Sequence, residues 1–239
     1  MTDLSYYTLT DAEKTRLCAG LEAAFTIPII DDVEDFVWEA LFHYVKDIPL
    51  PDSITEGRTK RLFDAVASDG RGWSLKTLVS RNFTVGSSFE FVIQRANIFQ
   101  KAALLGFPEG LNSTSDVANL GAALIRHWNE KHAKDCIAQN VTDPRIVILL
   151  KNRDRRRLAY VEFDYPFLSE EDYRWQWSRV GGFGLQGLKD ERVHLKWYPS
   201  GTQLFQVFRM PENAYYFELQ WQRATLSSFV ENIIRTLAQ

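Results

Sequence analysis

The chain has 239 residues, of which 45% are hydrophobic and 25% are charged, values that are typical of a globular protein with a sizeable core. Its net charge of −3 excludes a strongly basic protein, although a local basic patch would still permit nucleic-acid binding. Two cysteines cannot form a disulfide framework, and no apolar run approaches the length of a membrane span, so we expect a cytoplasmic protein without a membrane partner.

The first part of the chain predicts two helices. Thr10 and Glu13 have the spacing of a capping box, which predicts a helix over about 10–24. Apolar residues recur with helical spacing over about 31–45 and predict a second helix. Glu39 lies in the middle of this second helix, close to its apolar stripe.

The stretch 61–79 predicts a β-hairpin, because two apolar segments flank an Asp-Gly dipeptide that favours tight turns. The hairpin would bring Asp64 on the first strand near Ser74 and Lys76 on the second. Because Ser74 and Lys76 are two residues apart, they would share one face of the sheet. A carboxylate at this position suits Mg²⁺, to which the backbone carbonyl of Leu75 could add a ligand, and the lysine could position a water or neutralise a phosphate.

This arrangement resembles the PD-(D/E)XK nuclease superfamily, which includes many type II restriction endonucleases. In that family an Asp on one strand precedes an acidic-x-Lys tripeptide on the next strand, whereas this chain has Ser74-Leu75-Lys76. The Ser-x-Lys form resembles enzymes that cut CCGG-type sites, in which a later Glu takes over the missing role. Glu90 follows Lys76 at a similar interval, although no Pro precedes Asp64.

The resemblance implies a role for each of these residues. Asp64 and Glu90 would hold Mg²⁺, Lys76 would assist the attacking water, and Ser74 would occupy the vacated acidic position. Glu90 also has an ordinary explanation, because it completes a second capping-box pattern at the start of an expected helix. Likewise, Asp64 and Lys76 could form a cross-strand ion pair on the surface.

Two further residues join this candidate site. The family often carries a metal-reaching Glu on a helix before the first strand, so the resemblance implies Glu39 as a metal ligand, with Glu34 or Glu56 as substitutes. Gln94 follows Glu90 by four residues and could orient the attacking water or bind a phosphate, or be an ordinary polar helix residue.

The middle of the chain predicts two more helices and a second hairpin. Helices are expected over 88–105 and 117–133, although the first could begin as a strand over 89–93. Apolar segments 145–150 and 158–163 predict a buried strand and its return. This second hairpin carries a competing set of carboxylates, Asp154, Glu162 and Asp164. The set ranks below the first hairpin as a metal site, because no Lys follows Glu162 by two residues.

Residues of two regions are candidates for contact with DNA. Arginines pair bidentately with phosphate oxygens, and polar side chains near aromatic ones could read base edges, although solvated turns and core aromatics are the ordinary explanations. The candidates before and at the second hairpin turn are Arg58, Lys60, Arg153, Arg155, Arg156 and Arg157. Those in the strand-rich last third are Arg174, Gln176, Gln186, Lys196 and Gln203.

The sequence therefore predicts an α/β protein with a restriction-endonuclease-like core, in which helices flank a mixed central sheet of about five strands. Residues 1–164 would form the nuclease core, and 165–239 a β-rich elaboration of the same domain. A closing helix is expected over 226–237.

The expected function is a Mg²⁺-dependent type II restriction endonuclease that cuts double-stranded DNA. By resemblance it would act as a homodimer, alongside a cognate DNA methyltransferase. A repair or mobile-element nuclease on the same fold is the second enzyme hypothesis. A DNA-binding or interaction protein on a degenerate nuclease fold is the main non-enzyme hypothesis, supported by Ser74, and a small-molecule-binding α+β protein is another.

Overall fold

A computed structural model describes residues 5–50, 61–112, 115–178 and 184–237. The chain forms two compact units. The first unit comprises Met1–Val85, Val141–Tyr165 and Pro211–Gln239, and the second comprises Gly86–Asn140 and Pro166–Met210. The units interleave along the chain and do not follow the division at residue 164 that the sequence suggests, although the first unit's middle segment ends beside that position.

The first unit contains a mixed six-stranded sheet in the order β1-β6-β5-β3-β2, with β11 also pairing with β6. Its strands are β1 Tyr6–Tyr7, β2 Ala65–Val66, β3 Arg71–Val79, β5 Asp143–Lys151, β6 Arg157–Asp164 and β11 Tyr215–Glu218. Its helices are α1 Asp11–Thr26, α2 Asp35–Lys46 and α5 Leu226–Leu237. The α/β class is therefore confirmed. Among the described helices, none has the length and hydrophobicity of a transmembrane span.

Helices α1 and α2 begin and pack as their sequences predict. Thr10 caps α1, and the capping box with Glu13 has both of its hydrogen bonds. The apolar faces of α1 and α2 bury against one face of the first sheet. At the centre of this layer, the ring of Phe42 contacts those of Trp38 and Trp73 at 5.8 and 5.5 Å between centroids.

The predicted hairpin joins β2 to β3, and β3 is also a central strand of the sheet. The turn residue Gly70 has φ of +88°, a conformation that favours glycine. On its other side β3 pairs with β5 in parallel, with Lys76 opposite Ile148. Parallel neighbours require a long crossover, and this one contains all of the second unit's first segment, including a long helix.

The second unit contains a five-stranded antiparallel sheet in the order β4-β10-β9-β8-β7. Its strands are β4 Ser88–Arg95, β7 Arg174–Trp177, β8 Leu185–Lys189, β9 Arg192–Tyr198 and β10 Gln203–Arg209. Its helices are α3 Ile98–Lys101, followed by a 3-10 turn over Ala102–Leu105, and α4 Val117–Gln139. Helix α4 approaches the sheet at Gly121, where a Cβ atom would collide with the indole of Trp175.

The single helix expected over 88–105 is wrong, because its first eight residues form strand β4 and only 98–105 are helical. Phe89, Phe91 and Ile93 alternate along it, and the strand pairs with β10. The capping-box pattern at Glu90 is therefore not used. The alternative reading of 89–93 as a strand is the one that the structure adopts.

Candidate functional site

A pocket of about 160 Å³ in the first unit brings together four of the residues singled out in the sequence. Glu39, Asp64, Leu75 and Lys76 all line it. They come from three different segments, namely α2, the residue before β2, and β3. The remaining lining residues are Asp35, Trp38 and Thr77.

The hairpin backbone fixes Asp64 in this pocket. Its N–H donates to the carbonyl of Trp73 at 2.8 Å, which continues the β2–β3 pairing by one residue. Its carboxylate Oδ2 accepts a hydrogen bond from the Leu75 N–H at 2.6 Å. The carbonyl of Asp64 lies 3.3 Å from His43 Nε2, which ties the start of the hairpin to α2.

Helix α2 supplies two carboxylates to the pocket. Asp35 and Glu39 are four residues apart, a spacing that places both on one face of the helix. Trp38, between them in the chain, is almost fully buried against the core and sets the rotation of α2 over the sheet. Glu39 is half-buried and Asp35 is exposed, so the acidic pair extends from inside the pocket to its rim.

The charges of the pocket act on Asp64. Burial is the largest cause and raises the pKa of Asp64 from 3.8 to about 6. The positive charge of Lys76 and the Leu75 N–H oppose that rise, whereas the negative charges of Glu39 and Asp35 add to it. Because the negative charges of Glu39 and Asp35 destabilise the ionised form of Asp64, a positive charge placed among these three carboxylates would be favourable.

This set of donors suits a hard cation such as Mg²⁺. Mg²⁺ is commonly held by one or two carboxylates together with water and substrate phosphates, and Asp64 and Glu39 could supply the carboxylates. In the part of the chain that the structure describes, no three His, Cys, Asp or Glu side chains form a group arranged to hold a metal by themselves. Asp64 and Glu39 by themselves would leave the remaining coordination positions of such an ion to water and substrate.

Ser74 does not line the pocket. Its side chain is fully buried, and its hydroxyl has no hydrogen-bond partner among the described residues. Trp73 and Leu75, its neighbours in β3, belong to the core beneath α1 and α2. Ser74 therefore leaves a polar atom unpaired at the position where the nuclease pattern has an acidic residue.

Glu90 and Gln94 lie on β4, in the second unit, and neither lines the pocket. The Glu90 carboxylate pairs with Lys196 at 2.6 Å. Gln94 is buried, and its side-chain amide has no hydrogen-bond partner among the residues described. The structure therefore gives Glu90 a partner that the sequence did not suggest, and it leaves the second carboxylate of the pocket to Glu39.

The competing carboxylates of the second hairpin have structural roles. Glu162 is buried and accepts hydrogen bonds from Trp73 Nε1 at 2.8 Å and from Tyr160 at 2.6 Å. Lys46 and Arg145 neutralise it at 3.1 and 3.0 Å. Both carboxylate oxygens of Glu162 are occupied by this network. Asp164 accepts from the Tyr7 hydroxyl at 2.6 Å, and Asp154 lies in the turn, where it accepts from a backbone N–H.

The arginine-rich turn between β5 and β6 belongs to the first unit. Arg155 has φ of +57°, and its side chain pairs with Asp32 at 3.5 Å. The guanidinium groups of Arg156 and Arg157 lie over aromatic rings, those of Trp221 and Phe83. Arg153, Arg156 and Arg157 are exposed, so this turn still presents positive charge to solvent.

The DNA-contact candidates of the last third share one face of the second sheet. The pairing register places Gln176 opposite Gln186, Gln186 opposite Lys196, and Lys196 opposite Phe205. Strand alternation adds Arg174 and Gln203 to the same face. Trp175, Leu195, Trp197 and Leu204 point to the opposite, buried face. We call the face that carries Arg174, Gln176, Gln186, Lys196 and Gln203 the outer face of the second sheet. On it, Lys196 pairs with Glu90 and Arg174 pairs with Glu191 at 3.0 Å.

Three predicted residues, Glu56, Arg58 and Lys60, lie outside the described residues. Sequence reasoning missed Asp35 and Thr77, which the structure adds to the pocket. The four-residue spacing of Asp35 and Glu39 on α2 was the signal that would have found the first of them.

Comparison with known protein families, characterised proteins and solved structures gave no match for this chain.

Proposed function

We propose that this protein is a Mg²⁺-dependent nuclease of the PD-(D/E)XK type that hydrolyses phosphodiester bonds of double-stranded DNA. The observation that carries the proposal is that Glu39, Asp64, Leu75 and Lys76 line one pocket. The hairpin by itself brings Asp64 beside Leu75 and Lys76, so the independent support comes from Glu39, which reaches the same pocket from α2.

The order of elements supports a restriction-endonuclease-like core. A helix that carries Glu39 precedes the β2–β3 hairpin, and a helix-containing crossover leads to β5, which is parallel to β3. The resulting mixed sheet has the helices α1 and α2 on one face. A helix with a Glu before the strand that carries the Asp is the arrangement which the resemblance implies.

Each residue of the pocket has a chemical role in the proposal. Bound Mg²⁺ would supply neutralisation of the phosphate and a lowered pKa for a bound water. Asp64 and Glu39 would hold the ion, and the hydrogen bond from Leu75 keeps the Asp64 carboxylate in place. Lys76 would donate hydrogen bonds to a phosphate oxygen or orient the water. Asp35 lies at the exposed rim, where it adds negative charge that favours cation entry.

DNA contacts would come from exposed arginines and polar sheet residues. The turn containing Arg153, Arg156 and Arg157 belongs to the same unit as the pocket and offers guanidinium groups for phosphates. The outer face of the second sheet offers Arg174, Gln186, Lys196 and Gln203 for phosphates or base edges. A type II restriction enzyme with a methyltransferase partner is the specific form that we propose.

One observation favours a second candidate, a DNA-binding protein without nuclease activity. Ser74 replaces the family's acidic residue and is buried away from the pocket, so the carboxylate set depends on α2. Such a protein would bind DNA in a salt-dependent manner and leave it intact in Mg²⁺.

A cleavage assay separates the two candidates. Purified protein is incubated with unmethylated plasmid and phage DNA, with Mg²⁺ or with EDTA, and Asp64→Asn is compared with Asp69→Asn. Asp69 is an exposed carboxylate of the same hairpin and pairs with Arg71, so its variant is a matched control. We expect Mg²⁺-dependent fragments from the wild type and Asp69→Asn, and none from Asp64→Asn. Salt-sensitive binding to DNA that remains intact would establish the second candidate instead.

A further inference from the structure

The two faces of the second sheet have different surroundings. On the buried face, Trp197 contacts the ring of Phe99 in α3 at 5.2 Å between centroids, and Trp175 meets α4 at Gly121. The five side chains that define the outer face are all exposed or half-buried. Helices of this unit therefore cover one face of the sheet, and the outer face remains accessible to solvent.

Two aromatic rings meet on the outer face, on the neighbouring strands β9 and β10. Phe205 lies opposite Lys196 and Tyr198 lies opposite Gln203, so both rings project from this face. Their centroids are 5.3 Å apart and their planes are at 86° to each other. A flat group that enters the corner between them would stack on one ring and place its edge against the other.

The sheet holds these rings and leaves part of each accessible. A Cβ atom at Gly184 would lie 3.1 Å from Tyr198 Cε1, so the tyrosine ring occupies the space that a side chain at Gly184 would need. Tyr198 and Phe205 are both half-buried. The corner is therefore fixed by its surroundings before any ligand binds.

The charge of the outer face is complementary to a polyanion. Strand pairing and alternation place four basic side chains on this face, namely Arg95, Arg174, Lys196 and Arg209. Glu90 is the acidic side chain that the described strands place there, and it pairs with Lys196 at 2.6 Å. The excess of positive charge favours a ligand that carries phosphates.

The width of the sheet prevents this face from reading bases inside a duplex. Five strands about 4.8 Å apart span about 19 Å. The major groove of B-DNA is about 12 Å wide and admits a helix or a two-stranded ribbon. A paired base also has both of its faces covered by its neighbours in the stack, so it offers no surface to an aromatic ring. Base contacts on the outer face therefore require unpaired bases.

We propose that the outer face of the second sheet binds a single strand of DNA, with an unpaired base stacked in the corner between Tyr198 and Phe205. Arg95 and Lys196 would contact the phosphates beside that base, and Gln203 would bind its edge. The choice of DNA over RNA rests on the proposed function. The binding of an unpaired strand does not rest on it, because these residues belong to the second unit and the carboxylate pocket belongs to the first.

The test is the binding of a short labelled oligothymidylate to the full chain, measured by fluorescence anisotropy. EDTA is present throughout, so that the probe stays intact and binding is measured apart from cleavage. The comparison probe is an abasic oligomer of the same length, which keeps the phosphates and lacks the bases. We expect the wild type to bind oligothymidylate at least about fivefold more tightly than the abasic oligomer, because each stacked base adds affinity.

Variants locate the stacking surface. Tyr198→Leu and Phe205→Leu remove a ring but keep an apolar side chain, and each should weaken oligothymidylate binding at least about fivefold while leaving the abasic oligomer unaffected. Phe205→Tyr keeps the ring and should bind as the wild type does. Tyr216→Leu is the matched control, because Tyr216 is a 37% exposed tyrosine of β11 in the first unit. Circular dichroism checks that the variants are folded.

Several results would overturn the proposal. They are no binding of oligothymidylate, equal binding of the abasic oligomer, unchanged binding in both leucine variants at the corner, and equal weakening by Tyr216→Leu. Tighter binding of a duplex that depends on the same rings would contradict an unpaired strand. Binding of oligouridylate but not of oligothymidylate would show that RNA occupies the face instead of DNA.

Photo-cross-linking tests the position of the base directly. An oligothymidylate with one iododeoxyuridine is irradiated in the complex, and the attached peptide is identified by mass spectrometry. We expect the cross-link at Tyr198 or Phe205, since this base analogue reacts with the ring on which it stacks. A cross-link confined to peptides of the first unit would contradict the proposed site.

Discussion

The carboxylate of Asp64 accepts a hydrogen bond from the backbone N–H of Leu75 at 2.6 Å, across the two strands of the hairpin. The bond fixes the side chain without any help from a metal. It also explains why a carboxylate can be held in a place where burial and two neighbouring acids raise its pKa to about 6. The Asp64 carboxylate is therefore held in place although its ionised form is destabilised.

Asp64→Asn should stabilise the metal-free protein at neutral pH. A carboxyl whose pKa is higher in the folded than in the unfolded state contributes most below pH 3.8, and this contribution is lost as the pH rises through 6. Above pH 6 the wild type bears a buried charge that the amide lacks, while the amide oxygen can still accept from Leu75. We expect a gain of up to about 3 kcal/mol in the free energy of unfolding, measured with urea in EDTA.

Two comparisons check the cause of this gain. Well below pH 3.8 the difference between the wild type and Asp64→Asn should disappear, because both side chains are then neutral in the folded and in the unfolded state. Asp69→Asn should show no such gain, since Arg71 lowers the pKa of that exposed carboxyl. A pH-independent difference would show that packing, and not charge, separates the variants.

Glu162→Gln should have the opposite effect. Burial alone would raise the pKa of Glu162, but Lys46 and hydrogen bonds from Tyr160, Trp73 and Arg145 lower it overall. Removing the charge leaves Lys46 and Arg145 without their buried counter-ion, which commonly costs about 3–5 kcal/mol.

Urea unfolding at pH 7 measures this cost, with Asp143→Asn as a matched control because Asp143 also pairs with Arg145 but is more exposed. Because the folded-state pKa is lowered, the wild type's advantage should persist above the ordinary pKa and decline in acid. Equal stability of Glu162→Gln and the wild type at pH 7 would contradict the structural role of this network.

The elements that the sequence predicts well are those which local chemistry determines. The capping box of Thr10 and Glu13 and the Asp-Gly turn of the hairpin depend on residues within a few positions of each other. The continuous apolar run in β5 likewise identifies a strand that is buried on both faces. Each could be read without knowing what lies elsewhere in the chain.

Strand β4 shows where local reading fails. The Ser-x-x-Glu pattern at Glu90 favours a helix, but pairing with β10, which comes much later in the chain, fixes the segment as a strand. The same long-range pairing places Glu90 in the second unit. The interleaving of the two units also depends on distant contacts, which no local pattern contains.

The sequence predicts four of the residues that line the pocket, but Ser74, Glu90 and Gln94, which it also predicts for the site, do not line it. The family pattern identifies Asp64 and Lys76, and the position of Glu39 on the preceding helix was a weaker inference that the pocket supports. Asp35 was missed because a helix-terminal acid usually serves the helix dipole, although its four-residue spacing from Glu39 places both side chains on one face of α2.

Glu90→Gln separates the sequence pattern from the structure. If Glu90 only pairs with Lys196, its removal leaves Mg²⁺-dependent cleavage unchanged. It also frees one positive charge on the outer face of the second sheet, so DNA binding should tighten and its salt slope should steepen by up to about one unit. Filter binding in Ca²⁺ over a range of salt concentrations measures the slope.

Loss of cleavage in Glu90→Gln with unchanged DNA binding would show that the family's later Glu acts at the metal after all. Glu191→Gln is the control, because it frees Arg174 on the same outer face without touching the family pattern. Unchanged binding in both variants would argue that this face does not contact DNA.

The most direct test of the account is single-turnover cleavage of a DNA substrate by matched pairs of variants. Lys76→Ala is compared with Lys14→Ala, a lysine of α1 that pairs with Asp11. Glu39→Gln is compared with Glu34→Gln, because Glu34, the other Glu considered as a ligand, is exposed at the start of α2 and does not line the pocket. We predict that Lys76→Ala cuts at least about a hundredfold more slowly and that Glu39→Gln needs more Mg²⁺, while both controls match the wild type. Full activity of Lys76→Ala at wild-type Mg²⁺ concentrations would contradict a catalytic centre in this pocket.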